Sequence, residues 1–185
     1  MANLLIDIGN TALKASWADG MTLGKTFRYQ GERMLDFILS LTAKEKPEKI
    51  VLSSVRYFSE QNVERLRKEC GKMIILDSDM LEKEYAIPSY LTPDRAASVV
   101  ASRYLFKNRP CTIFDFGTTF TIDFLDKDGN FEGGCISPGC HTRFRSLYRY
   151  SKSLHLLDAP EDVPEAGTDL VSSINSGDIS GIRFE

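Results

Sequence analysis

Twice in this sequence an apolar stretch runs into an acidic residue, a glycine and a threonine. The first is Asp7-Ile8-Gly9-Asn10-Thr11 after Asn3–Ile6, and the second is Asp115-Phe116-Gly117-Thr118-Thr119 after Cys111–Phe114. A carboxylate at the end of a buried strand can hold a magnesium or potassium ion. A glycine immediately after it lets the backbone turn tightly, so that amide N–H groups and a threonine hydroxyl can face a phosphate. Two such turns face to face would clasp a nucleotide's phosphates from both sides, which points to phosphoryl transfer and to a chain built from two related halves.

The rest of the sequence fits that frame. Its 185 residues allow one large or two small domains. A net charge of −3 gives no overall pull toward nucleic acid or an anionic membrane, so an anionic ligand must be held by local geometry. No run reaches the roughly 18–20 apolar residues of a membrane span, and the N-terminus lacks the pattern of a signal peptide, so a cytoplasmic location without membrane association is expected. Cys70, Cys111, Cys135 and Cys140 are irregularly spaced and read as reduced thiols. A zinc site from Cys135, Cys140, His141 and His155 is disfavoured because no C-x-x-C pair exists.

Periodicity predicts strands at Leu4–Ile8, Leu13–Trp17 and Gly24–Tyr29, a helix over Glu32–Ala43, a strand at Lys49–Val55, a helix over Ser59–Gly71 and a strand at Met73–Leu76. After a connecting region from Tyr85, Thr92 caps and Pro93 opens a helix over Asp94–Phe106, with Ala97, Val100, Ala101, Tyr104 and Leu105 on its apolar face. The second half repeats the opening: strands at Cys111–Phe116, Thr119–Leu125 and Asn130–Ile136, with Asp128-Gly129 as a hairpin turn. A glycine-rich loop over Gly133–Gly139 then leads into a helix from Pro138-Gly139 to about Tyr150, and a last helix covers Thr168–Ser176. Arg143, Arg145, Arg149 and Lys152 on the penultimate helix read as a solvated face or a dimer contact rather than a nucleic-acid surface, given the acidic background.

Five elements in order make a specific signature: Asp7-Ile8-Gly9-Asn10-Thr11 with Lys14; Tyr85-x-x-Pro88 followed by Asp94-Arg95; Asp115-Phe116-Gly117-Thr118; Gly133-Gly134-Cys135-Ile136-Ser137-Pro138-Gly139; and the Thr168 region ending in Ser176-Gly177. Over Asn3 to about Gly181 the chain resembles type III pantothenate kinase, of the acetate and sugar kinase, actin and heat-shock chaperone superfamily. The resemblance implies an α/β fold with duplicated ribonuclease H-like (actin-like ATPase) halves around a central cleft. Residues 1–108 would form the first half, and 109–185 the second, shorter than the family's. It implies ATP-dependent phosphorylation of pantothenate, the first step of coenzyme A biosynthesis, by a cytoplasmic homodimer using Mg2+ and K+ or NH4+.

By the same resemblance, Asp7, Ile8, Gly9, Asn10, Thr11, Ala12, Leu13 and Lys14 form the first ATP-binding turn. Thr118 binds ATP from the opposite turn, and Asp115 holds the monovalent cation. Asp94 is the expected general base. Tyr85, Thr92, Pro93, Asp94, Arg95 and Thr168 are expected to meet pantothenate, with the Arg95 guanidinium on its carboxylate. One departure stands out: where the family carries G-x-D-R, this chain has Thr92-Pro93-Asp94-Arg95, and proline restricts the backbone where the substrate hydroxyl approaches. The alternatives in keeping with these features are a non-catalytic transcriptional accessory relative and a superfamily kinase for another acceptor.

Overall fold

The computed structural model describes residues 2–185, which form two compact units, one ending at Lys107 and one spanning Asn108–Glu185. The first unit opens with three strands, β1 (Asn3–Ile8), β2 (Leu13–Asp19) and β3 (Thr22–Tyr29), each antiparallel to the one before. Helix α1 (Met34–Thr42) follows, then β4 (Lys49–Ser54), α2 (Glu60–Lys68), β5 (Lys72–Ile75), α3 (Ser78–Tyr85) and α4 (Pro93–Leu105). The sheet order is β3-β2-β1-β4-β5, with β4 and β5 parallel to β1. A meander joined to parallel strands through helical crossovers in this order is a ribonuclease H-like sheet.

Alternation fixes which face is the core. Leu4, Ile6 and Ile8 point to one side of β1 and are buried with Leu13 and Ala15 of β2, Ile50 and Leu52 of β4, Ile38 and Leu41 of α1 and Leu66 of α2. Asn3, Leu5 and Asp7 occupy the opposite face. β1 is therefore flanked by a strand on each edge and covered by helices on one face.

The second unit repeats the meander as β6 (Cys111–Phe116), β7 (Thr119–Leu125) and β8 (Phe131–Pro138), in that spatial order, followed by α5 (Cys140–Tyr150) and α6 (Leu170–Phe184). The β7–β8 turn is closed by Asp126, whose carboxylate accepts from the backbone N–H groups of Asp128 and Asn130 at 2.8 Å and from the Asn130 side-chain amide at 2.9 Å. Gly129 takes φ +81°, the left-handed region this turn requires. Among the described residues no helix is long and apolar enough to cross a membrane.

Several expectations are corrected. Ser78–Tyr85, for which periodicity predicts no element, is a helix whose N-cap, Asp77, accepts from Met80 N–H at 2.8 Å. The apolar face expected for α4 is also wrong: the buried residues are Arg95, Ala96 and Val99, while Tyr104 and Leu105 are exposed. The helix packs on β4, and its last turn carries the two large apolar residues into solvent. Gly133–Gly139 is not a loop. Residues through Pro138 belong to β8, and Gly139 is the N-cap of α5.

Helix α6 was expected to end at Ser176 but continues through Gly177 and Gly181 to Phe184. Its start is a reciprocal capping box: the Asp169 carboxylate accepts from Ser172 N–H at 2.9 Å, and the Ser172 hydroxyl accepts from Asp169 N–H at 3.1 Å. The bonds from Ser172, backbone first, hold the Asp169 carboxyl below its ordinary pKa. A depressed folded-state pKa contributes stability that is present above the unfolded value and lost as pH falls through the folded one. Below about pH 4, therefore, the native protein should lose melting temperature more steeply than Asp169→Asn, which keeps an oxygen acceptor but cannot titrate. Parallel acid-induced declines for the two proteins, followed by circular dichroism, would contradict this assignment.

Candidate active site

In the first unit the candidate site is made by register. The turn between β1 and β2 spans residues 9–12 and is closed by Gly9 N–H donating to Ala12 C=O at 3.0 Å. It returns the chain so that Lys14 lies directly across from Asp7, with the ammonium 3.8 Å from the carboxylate. On the other side, parallel pairing with β4 places Ser53 beside Asp7. The Ser53 hydroxyl is buried and has no hydrogen-bond partner. Asn10 and Thr11 are exposed at the turn, whereas Ile8, Ala12 and Leu13 are buried, so these three can offer a ligand only their backbone.

Asp7 and Lys14 are both partly exposed. An ion pair of this kind contributes only about 0–1 kcal/mol to stability. Its arrangement therefore has little structural value, and a carboxylate and an ammonium side by side at a glycine turn can instead address a polyanion and its counter-cation.

The remaining first-unit candidates lie on α3 and α4. Thr92 is the N-cap of α4 by backbone conformation, with no side-chain capping bond, and Pro93 occupies the opening turn. Asp94 is half-buried, and one of its oxygens accepts from Arg95 N–H at 2.9 Å, which leaves the second oxygen available in this local turn. Arg95 is only 5% exposed. Tyr85 ends α3, and its carbonyl accepts a hydrogen bond from Arg103. Arg103 is in the last turn of α4, about 13 Å along the axis from Asp94 at about 1.5 Å per residue. This contact ties the end of α3 to the last turn of α4 and does not itself bring Tyr85 beside Asp94.

In the second unit the turn is shorter. Phe116 pairs with Phe120 across residues 117–119, one residue fewer than the 9–12 connection. The shorter turn sets Thr121 opposite Asp115, where the first unit's turn length would set Ile122, the counterpart of Lys14 in sequence. Asp115 is exposed, while the Thr121 hydroxyl is buried without a hydrogen-bond partner. The carbonyl of Thr118 accepts from Gly139 N–H at 3.0 Å and from the Thr142 hydroxyl, so the start of α5 is tied to the turn. Any side chain at Gly139 would run into the Gly117 backbone, which gives the Pro138-Gly139 pair its physical reason. Thr168 is exposed just ahead of α6, its N–H bonded to the Ser172 hydroxyl at 3.0 Å.

Two features were missed from sequence. Ser53 gave no signal, because a serine in an apolar strand acquires meaning only once pairing puts it beside Asp7. Cys140 and Asp178 approach each other at the α5–α6 contact, where burial, and then the neighbouring acid, raises the thiol's pKa, and burial raises that of the Asp178 carboxyl despite Arg143. Their separation in sequence concealed it. Among the described residues no cluster of three or more His, Cys, Asp or Glu could hold a metal ion, so a cation here would share its shell with water or ligand.

Comparison with known proteins identifies the family. A family model described as type III pantothenate kinase matches residues 3–184. The type III pantothenate kinase of Bacteroides fragilis is 31% identical over 186 residues, covering 99% of this chain and 76% of its own length. That of Cytophaga hutchinsonii is 34% identical over 190 residues, covering 99% of this chain and 77% of its own length. Among solved structures, a conserved putative Baf family transcriptional activator from Campylobacter jejuni superposes with a TM-score of 0.61 at 22% identity, over 98% of this chain and 76% of that one. The chain belongs to the type III pantothenate kinase family.

Proposed function

We propose that this chain transfers the γ-phosphoryl group of ATP to the primary alcohol of pantothenate, giving 4'-phosphopantothenate and ADP. Family membership carries the reaction class, and the Asp7–Lys14 pair at the Gly9 turn is the observation that carries the site. The transition state of phosphoryl transfer is loose, so the protein's work is positioning and charge stabilisation. Lys14 offsets charge on the β- and γ-phosphates, while Gly9, Asn10 and Thr11 supply backbone and side-chain donors at an exposed turn. Asp94 accepts the proton of the alcohol as its oxygen bonds to the γ-phosphorus and the bond from that phosphorus to the β–γ bridging oxygen breaks. The free oxygen of Asp94 suits this role. Arg95 pairs with the pantothenate carboxylate; at 5% exposure it meets a desolvated partner, where charge-assisted bonding is strong. The resemblance to the family assigns Tyr85, Thr92 and Pro93 of the first unit and Thr168 of the second to pantothenate, and Thr118 to the nucleotide.

The oxygen chemistry at both turns fits hard cations. Asp7 suits Mg2+, which binds through one or two carboxylates and retained waters alongside phosphates and neutralises charge there when bound. Asp115 presents a single carboxylate, and Thr121 directly across from it carries a buried hydroxyl without a partner; one charge and neutral oxygens suit K+ or NH4+. The exposed run of Tyr104, Leu105 and Phe106 supports a homodimer. The four free cysteines accord with the cytoplasm as its place of work, at the first step of coenzyme A biosynthesis.

Incubating the chain with ATP, Mg2+ and a panel of acceptors tests the reading: phosphate should appear on pantothenate, and transfer only to another alcohol, or to none, would reject it. Asp94→Asn should retain ATP binding and lower turnover about 10²–10⁴-fold, the range for lost general-base help. Unchanged turnover would remove Asp94 from the chemistry. Replacing Na+ by K+ should raise the native rate, and Asp115→Ala should abolish that difference; a variant that still prefers K+ would place the cation elsewhere.

A further inference from the structure

Buried hydroxyls in this protein fall into two groups. Among the described residues, Ser16 donates to Gly24 C=O at 3.1 Å, Thr42 to Leu39 C=O at 3.2 Å and Ser176 to Glu165 C=O at 2.8 Å. Ser53 and Thr121 are buried as well, at 7% and 5% exposure, and have no hydrogen-bond partner in the protein. Both stand next to the acid near the end of an opening strand, Ser53 beside Asp7 and Thr121 across from Asp115. Buried polar groups are normally satisfied, so exceptions found beside each of these acids point to a partner that the chain itself does not supply.

The case is strongest at Ser53. Ile50 and Leu52 turn to the core shared with α1 and α2, so Ser53 turns to the opposite face of β4, as Asp7 does on β1. Lys14 flanks Asp7 from β2 with a half-exposed ammonium, and Ser53 flanks it from β4 with a buried hydroxyl. Neighbouring strands lie about 4.8 Å apart, a span that one water can bridge. Ser54, the next residue, shows the local use of a serine here: its hydroxyl donates to Arg56 C=O at 2.7 Å and closes the turn that leaves β4. Ser53 closes nothing. An unpaired hydroxyl in a buried strand destabilises, and alanine would occupy the position without that penalty.

We propose that Ser53 is a positioning residue for the divalent cation: its hydroxyl accepts a hydrogen bond from a water retained by an ion bound at Asp7. With Mg2+ placed at Asp7, as in the proposed function on which this rests, the hydroxyl gains the partner it lacks. Mg2+ held through one or two carboxylates keeps several waters, and a hydrogen bond to one of them ties the ion to β4 as well as β1. Groups that meet a metal's outer shell in this way commonly govern its affinity by about 10–100-fold.

Mn2+ serves as the probe, with the free ion counted by electron paramagnetic resonance in the presence of the full chain and β,γ-imido-ATP, which transfers no phosphoryl group. Ser53→Ala should raise the Mn2+ dissociation constant about 10–100-fold. Ser53→Thr, which keeps the hydroxyl and suits a strand, should recover most of that loss. Without metal or nucleotide the alanine variant should melt at or above the native temperature by circular dichroism, because it removes an unsatisfied group. Three results would each overturn the proposal: an alanine variant that binds Mn2+ as tightly as the native chain, equal losses in the alanine and threonine variants, or an alanine variant that melts well below the native protein without ligands. A native chain that binds no Mn2+ with the nucleotide would overturn both this inference and the cation's placement at Asp7, whereas absence of phosphate on pantothenate would reject the acceptor and leave the Mn2+ comparison to decide on Ser53.

Discussion

Pairing of β1 on both edges is the constraint on which the candidate site rests. Lys14 faces Asp7 because the 9–12 connection sets the antiparallel register, and Ser53 flanks it because β4 pairs in parallel. A slip of one residue on either side would turn the partner side chain to the opposite face of the sheet. The apolar residues on the other face of β1 hold that register in place: Leu4, Ile6 and Ile8 reach the core only in this phase. The same alternation that makes the fold thus also presents the acid and its neighbours together.

The second unit applies the same design with a different outcome. Its turn is one residue shorter and its second strand carries no lysine, so the acid meets Thr121 where the first unit has Lys14. Two turns that look alike as sequence are therefore unequal as chemistry, one carrying an acid–cation pair and the other an acid among neutral oxygens.

The strands were legible because period-two alternation and glycine turns are local signals. Asp7, Gly9 and Lys14 could be read for the same reason. Helix α3 was missed because its capping signal, Asp77, precedes a short segment, Ser78–Tyr85, in which Leu81 alone is buried. The buried side of α4 was misjudged because composition favours Tyr104 and Leu105, whereas contact with β4 selects Ala96 and Val99 at the start of the helix and takes Arg95 inward with them. The last helix was expected to end at Ser176, just before Gly177, yet α6 passes through both Gly177 and Gly181. A glycine costs a helix about 1 kcal/mol against alanine, which tertiary contact can offset. Ser53 and Thr121, the buried hydroxyls beside the two acids, depend on pairing between strands, which no single stretch of sequence displays.

If, as proposed, the β1–β2 register makes Lys14 a ligand of the nucleotide's terminal phosphates, calorimetric titration of Lys14→Met will show it. Removing the ammonium should weaken binding of magnesium ATP by about tenfold or more, some 1.4 kcal/mol, and leave binding of AMP nearly unchanged. Equal losses for both nucleotides, or none for ATP, would contradict it.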